Sequence, residues 1–169
     1  ALTDGTTGRS YLSLAIAALN QLLDSYSTLG DVRVRLVTFS EDANGLTGAR
    51  GSGWMKVDAA KSEFGQAKPA NSYITDYDAA IRVAKEAFVT DGKLASGQNI
   101  AYFMSDGRPT PLDKAMNSTE EGSWKNFLIN HQITSFAFGM GVLVGQSYLN
   151  PIAYDGVSNT NLNAEVVPD

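Results

Sequence analysis

The sequence predicts an α/β fold, a mostly parallel sheet with helices packed against it. Three observations predict it. Apolar runs at 36–39, 100–104 and in ITSFAFGMG from Ile133 are short and greasy on successive residues, as strands buried on both faces are. Apolar residues recur at helical spacing in the segments between and around them. Stretches rich in Gly, Asn, Asp and Pro punctuate the two kinds of segment, and such alternation belongs to a parallel sheet covered by helices.

In chain order, the first element is SYLSLAIAALNQLLDSY, where Leu12, Ala15, Ile16, Leu19, Leu22 and Leu23 make one helical face and Gly30 is the stop. In DVRVRLVTFS, Val32, Val34 and Leu36 alternate with Arg33 and Arg35 before the run becomes solid. This predicts a strand that enters at the surface, with solvated arginines, and finishes inside the sheet. EDANGLTGARGSG reads as loop with room for a short hairpin, and its SEDANG start lacks the length and terminal Glu of a calcium-binding loop. GWMKV suits an edge strand, and DAAKSEFGQA a short helix with Asp58 as N-cap. TDYDAAIRVAKEAF carries a stripe of Tyr77, Ala80, Ile81, Ala84 and Phe88, with Thr75 placed to cap it. NIAYFMSDGRPT is a buried strand that delivers an acid where the chain must turn. STEEGSWKNFLINH opens with a capping box, Ser118 with Glu121, which also accounts for the glycosylation-like Asn117-Ser118-Thr119. Its buried face holds Trp124, Phe127 and Leu128, with His131 at the core's edge. After the ITSFAFGMG strand, the tail holds at most a short helix near Pro151 and a strand at Glu165–Val167. Neither a repeat nor an interdomain linker interrupts the chain, so residues 1–169 read as one domain.

Composition narrows the chemistry. A net charge of −5 argues against non-specific nucleic-acid or anionic-membrane binding, and no apolar run approaches the length of a membrane span. With no cysteine, disulfides, thiol catalysis and thiolate metal sites are excluded. With a single histidine, a metal site must be built mainly from oxygen donors, which suit magnesium, calcium or manganese. Ligands of open α/β sheets bind beyond the carboxyl ends of the strands, where Asp106 stands. Thr75, before the neighbouring helix, adds a hydroxyl there; Gly107 lets the chain turn and Pro109 stiffens the loop after it. Both Thr75 and Asp106 also have plainer uses, Thr75 as an N-cap and Asp106-Gly107 as a turn.

Four segments, VRVRLVTFS, ITDYDAAI, YFMSDGRPT and SFAFGMG, resemble the von Willebrand factor A domain in order and spacing, over nearly the whole chain. LGDVRVRLVTFS is most similar to the A-type domains of bacterial repeat-in-toxin (RTX) surface adhesins. The resemblance implies a Rossmann-like, doubly wound sheet with a metal-ion-dependent adhesion site on its upper edge. Thr75 and Asp106 match that site's loop threonine and strand-end aspartate, with Asp76, Gly107 and Arg108 on its rim. A divalent cation, Mg2+ or Ca2+ with Mn2+ as a further candidate, would be completed by an acidic group of a protein or glycan partner. The implied role is adhesion, not catalysis, in an extracellular module of a large multidomain, biofilm-type adhesin at the bacterial cell surface. An intracellular A-type assembly or chaperone subunit is the alternative. A nucleotide-binding enzyme would need a phosphate loop opening a helix, and GARGSGW has no such helix behind it. The family's Asp-x-Ser-x-Ser motif, on a first central strand, has no full counterpart here. Asp4 and Thr6 in DGTTG have the right offset, but Gly8 replaces the last serine. The expectation is therefore a domain whose first strand and motif lie outside this sequence, with a strand-wide gap in the sheet.

Overall fold

The computed structural model describes residues 10–41, 48–69 and 73–167. Helix α1, Tyr11–Ser27, is started by Ser10, whose hydroxyl oxygen accepts from the Ser13 amide. The chain returns as β1, Val34–Thr38, and folds back antiparallel as β2, Gly48–Met55. Much of the stretch expected to be loop is thus strand. Extra residues on β2 shift its register between Val34 and Leu36, and Gly51 sits there at φ +70°. That φ strains any residue with a β-carbon, and one on Gly51 would also have to displace the flexible Met55 side chain, whose sulfur would lie 2.6 Å away.

Helix α2, Val57–Gln66, comes directly after β2. Its N-cap is Lys56, which makes no side-chain cap bond, so Asp58 is not the cap expected from sequence. Asp58 lies in the first turn, where its charge favours the helix dipole instead. Helix α3, Tyr77–Phe88, is capped by Asp76 and not by Thr75. Strand β3, Asn99–Ser105, then runs parallel to β4, Ile133–Met140, with α4, Ser118–His131, between them. The α4 capping box is displaced one residue upstream from Ser118 and Glu121. Asn117 accepts from the amides of Thr119 and Glu120, and Glu120 accepts from the Asn117 amide at 2.7 Å. The side chain of Asn117 is therefore occupied in capping.

Beyond β4 come the single turn α5, Gln146–Leu149, the two-residue strands β5, Tyr154–Asp155, and β6, Thr160–Asn161, and finally β7, Glu165–Val167. β7 pairs parallel with the end of β4, and β5 pairs antiparallel with its beginning. The sheet is doubly wound. Adjacent residues of β3 show both faces: the Tyr102 hydroxyl meets that of Tyr26 on α1 at 2.7 Å, and the Phe103 ring packs against Tyr77 of α3. No described helix is long and apolar enough to cross a membrane.

The apolar interior falls into two clusters. The larger joins α3, α4, β3, β4 and the C-terminal segment around Tyr77, Leu128, Leu149 and Ile152, all wholly buried. The smaller joins α1, α2 and β1 around Leu23, Ala60 and Phe64. β1 and β3 are not paired: the strands form two sheets, β1–β2 and β3 through β7. The sequence led us to expect β1 to finish inside the sheet, yet all five of its residues are half-exposed.

Candidate functional site

The carboxyl ends of β1 and β3 meet the N-terminus of α3. Ser105, the last residue of β3, is 5% exposed, so the strand remains buried up to the turn. Asp106 and Gly107 emerge half-buried, Arg108 is exposed, and Pro109 is buried again. This loop is held from three sides. The Tyr77 hydroxyl donates to the Gly107 carbonyl at 2.6 Å, and the Ser105 hydroxyl donates to the same oxygen at 2.8 Å. Thr75 and Thr110 exchange both backbone hydrogen bonds, at 3.0 and 3.1 Å, which ties the approach to α3 to the loop after β3. From β1's side, Ser40 donates its hydroxyl to the Ile74 carbonyl, and its own carbonyl accepts from the Asp76 amide at 2.9 Å.

That stapling brings Thr75 beside the Asp106 loop. Its hydroxyl oxygen lies 3.8 Å from where a β-carbon on Gly107 would be. Because Asp76 takes the capping duty, the Thr75 side chain is not bound to the helix end. Asp76 itself is 4% exposed, beneath the rim on which the sequence reading set it. One of its oxygens accepts from the Ala79 amide at 2.9 Å, and the other pairs with Lys114 at 3.2 Å. That partnership raises the Lys114 pKa above its ordinary value. Burial pushes the Tyr77 phenol up to about 12; the Ser105 bond works against the shift and the nearby Asp106 charge adds to it. Tyr77 is therefore a neutral donor clamping the Gly107 carbonyl. Burial, then the charges of Glu120 and Asp76, raises the pKa of Asp78 in the first turn of α3.

Asp4 and Thr6 lie outside the described residues. Of the other predicted positions, the fold brings Thr75, Asp106, Gly107 and Arg108 to one edge. Ser40, Tyr77 and Lys114 support that edge, and sequence reading did not single them out for it. A hydroxyl at the tip of an apolar strand was the available signal for Ser40; Lys114 had none, because its pairing depends on a turn. His131 packs against Phe88 and Phe127, with ring centroids 5.2 and 4.3 Å away, and serves as a core-edge residue.

Thr75 and Asp106 together offer a hydroxyl and a carboxylate, hard donors of the kind magnesium, manganese and calcium take. In kind they fit such an ion; in number they supply two donors toward about six. Among the described residues no cluster of three or more carboxylate or imidazole groups could hold a metal.

No protein-family model matches the sequence, and neither does any curated protein. Solved structures do match the fold. Proximal thread matrix protein 1 from the mussel byssus aligns with a TM-score of 0.66 and 17% identity, over 94% of this chain and 38% of that one. The same protein with a zinc-occupied MIDAS motif aligns at 0.64 and 19% identity, over 90% and 39%. A von Willebrand factor type A structure from Catenulispora acidiphila aligns at 0.64 and 20% identity, over 94% and 34%. The chain spans less than two fifths of those structures' length, and it shares with them the von Willebrand factor A fold.

Proposed function

We propose that this chain is a binding module of the von Willebrand factor A type. It recognises an acidic group of a protein or glycan partner through a divalent cation at the C-terminal edge of the sheet. One observation carries the reading: the Thr75–Thr110 bridge sets the Thr75 hydroxyl against the loop of Asp106, at the edge where such sheets bind ligands. The zinc-occupied motif of a neighbour with the same fold supports it. Thr75 and Asp106 would hold the cation, which, when bound, supplies positive charge that a partner carboxylate can ligate. Tyr77 and Ser105 fix the loop's backbone, and the Asp76–Lys114 pair anchors the start of α3. Arg108, exposed beside Asp106, offers a guanidinium suited to an incoming carboxylate. The sole histidine is packed between aromatic rings, so a serine–histidine catalytic pair has no support here. In the finer reading the module is extracellular, part of a bacterial RTX-type surface adhesin, and its ion is Mg2+ or Ca2+.

The test is titration with Mn2+, Mg2+ and Ca2+, followed by calorimetry and by manganese paramagnetic relaxation. Asp106→Asn, which keeps the side chain's shape, should lower affinity at least about tenfold, and Thr75→Val should lower it too. Unchanged binding in both variants would remove the metal-bridged reading.

A further inference from the structure

We infer that the carboxyl edge of the sheet selects a protein partner: an extended peptide segment whose carboxylate lies between apolar side chains. The inference rests on the proposed use of this edge and narrows the partner from an acidic group in general. Eight large apolar side chains are exposed among the described residues, and five of them stand at this edge. Tyr73 and Leu112 lie two residues before and two residues after the bridged pair Thr75 and Thr110. Val142 and Leu143 follow the end of β4, and Val167 ends β7, where its carbonyl accepts from the Gly141 amide at 2.9 Å. Leu29, Val89 and Val157 are the other three, each on a separate connection at the opposite edge. Exposed apolar residues scattered singly are ordinary, whereas a cluster around a candidate site marks a surface that something covers.

Tyr73, Thr75, Asp106, Arg108, Val142 and Leu143 all border one cleft between β1 and β3. Tyr73, 97% exposed, approaches from the side of β1, and Val142, 73% exposed, from the side of β4. Asp106 and Arg108 lie between them, on the loop that leaves β3. Strands β3 and β4 are paired in register, Ser105 with Gly139, so their tips are about 4.8 Å apart. A peptide lying across the tips advances about 6.8 Å over two residues and returns to the same face. A carboxylate held at Asp106 and Arg108 therefore sets side chains two residues away toward Val142 and Leu143 in one direction and toward Tyr73 in the other. The matching pattern is apolar–x–acid–x–apolar.

Charge complementarity fixes the middle of that pattern. Lys114 is paired with Asp76, whereas Arg108 is exposed and makes no ion pair among the described residues. Its guanidinium suits a carboxylate, with or without a cation beside Asp106. The flanks exclude a sugar. Leu112, Val142, Leu143 and Val167 bring no hydrogen-bonding side chain, so sugar hydroxyls pressed against them would lose water without replacement. Aliphatic and aromatic peptide side chains have no such loss and gain burial there. A tyrosine and an arginine in an apolar patch are also the side chains that most often carry binding energy in protein interfaces.

The experiment is selection from displayed nonapeptides with Glu fixed at the centre and every other position random, in Mg2+ buffer and again with EDTA. Aliphatic and aromatic residues should be enriched two positions either side of the Glu. By fluorescence anisotropy, a selected peptide with both flanks changed to Ser should bind at least about tenfold more weakly. Tyr73→Ser and Leu143→Ser, both at exposed positions, should weaken binding as much while leaving Mn2+ affinity and the thermal midpoint unchanged. In EDTA, replacing the central Glu by Gln should cost affinity in the parent protein and little in Arg108→Gln. Peptide binding that survives EDTA and Asp106→Asn, yet falls in the two rim variants, would remove the metal bridge and leave this inference standing. Normal Mn2+ binding with no enrichment of apolar flanks, or with rim variants that bind the peptide fully, would overturn it. So would equal binding of sialic-acid or glucuronic-acid oligosaccharides by the parent and the rim variants. A concentration-dependent dimer that the rim variants abolish would overturn it too, since a second copy would then be the occupant.

Discussion

β4 has β3 along one side and β5 and β7 along the other, and every second residue of its eight is buried. β1 is equally apolar but has β2 on one side alone, and none of its five residues is buried. The helices behind them differ in step. α3 and α4 enclose Tyr77, Trp124 and Leu128 in one large cluster, whereas α1 and α2 close over Leu23, Ala60 and Phe64 only. An apolar run is enough to make a strand; burying it takes covered faces and two occupied edges. Stability in this molecule should therefore be distributed unevenly, high around β4 and low around β1.

The sharpest test of that contrast is a pair of truncations. Leu128→Ala, at a wholly buried position, should cost about 3 kcal/mol in urea unfolding, while Leu36→Ala on the half-exposed β1 should cost about 1. Equal costs would break the comparison. Next in size is an alkaline limit on the better-packed side. Folded Tyr77 keeps its proton to a pKa of about 12, against an ordinary 10.0, so the unfolded chain loses the proton first. Stability should accordingly decline as pH rises above 10, and Tyr77→Phe should flatten the decline in base-dependent thermal melts.

Asp76→Ala removes the α3 cap and the Lys114 partner together and should destabilise by about 1 kcal/mol. Because Ser40 reaches Asp76 from β1, native-state hydrogen exchange in this variant should also quicken at the junction of the two regions. The smallest effect lies at the far edge. Asp155 has its pKa lowered first by the Ser158 hydroxyl, then by the Thr134 hydroxyl and the Val157 amide. Its contribution is present above the ordinary carboxylate value of 3.8 and is lost as pH falls below it. Asp155→Asn should slightly reduce the acid sensitivity of unfolding; a larger change would mean that the β5–β6 hairpin stabilises more of the fold than its two-residue strands imply.

Much of this architecture was legible because its signals are local. Periodicity identified α1, α3 and α4, solid apolar runs identified β3 and β4, and Glu165–Val167 was found as β7. Caps were legible only to within a residue. Ser, Thr, Asn and Asp cluster at helix starts, and Thr75 beside Asp76, or Asn117 beside Ser118, are equivalent in composition. Which one caps depends on the angle at which the chain enters the helix. The strands β5 and β6 are two residues long, too short for any period to register.

For the candidate site, the sequence alone determined that a carboxylate would stand at the end of a buried strand, since Asp106 directly follows the apolar run that makes β3. It also placed the Thr75 hydroxyl at the same edge, before the neighbouring helix, but not how close to the Asp106 loop it comes. That juxtaposition rests on the Thr75–Thr110 bridge between residues thirty-five apart, and on Asp76 taking the cap. The separation of β1 from β3 was expected through the family resemblance and not from any local pattern. Local propensity makes each strand, but whether an edge is occupied depends on which other segment lies alongside it, and only the packed sheet decides that.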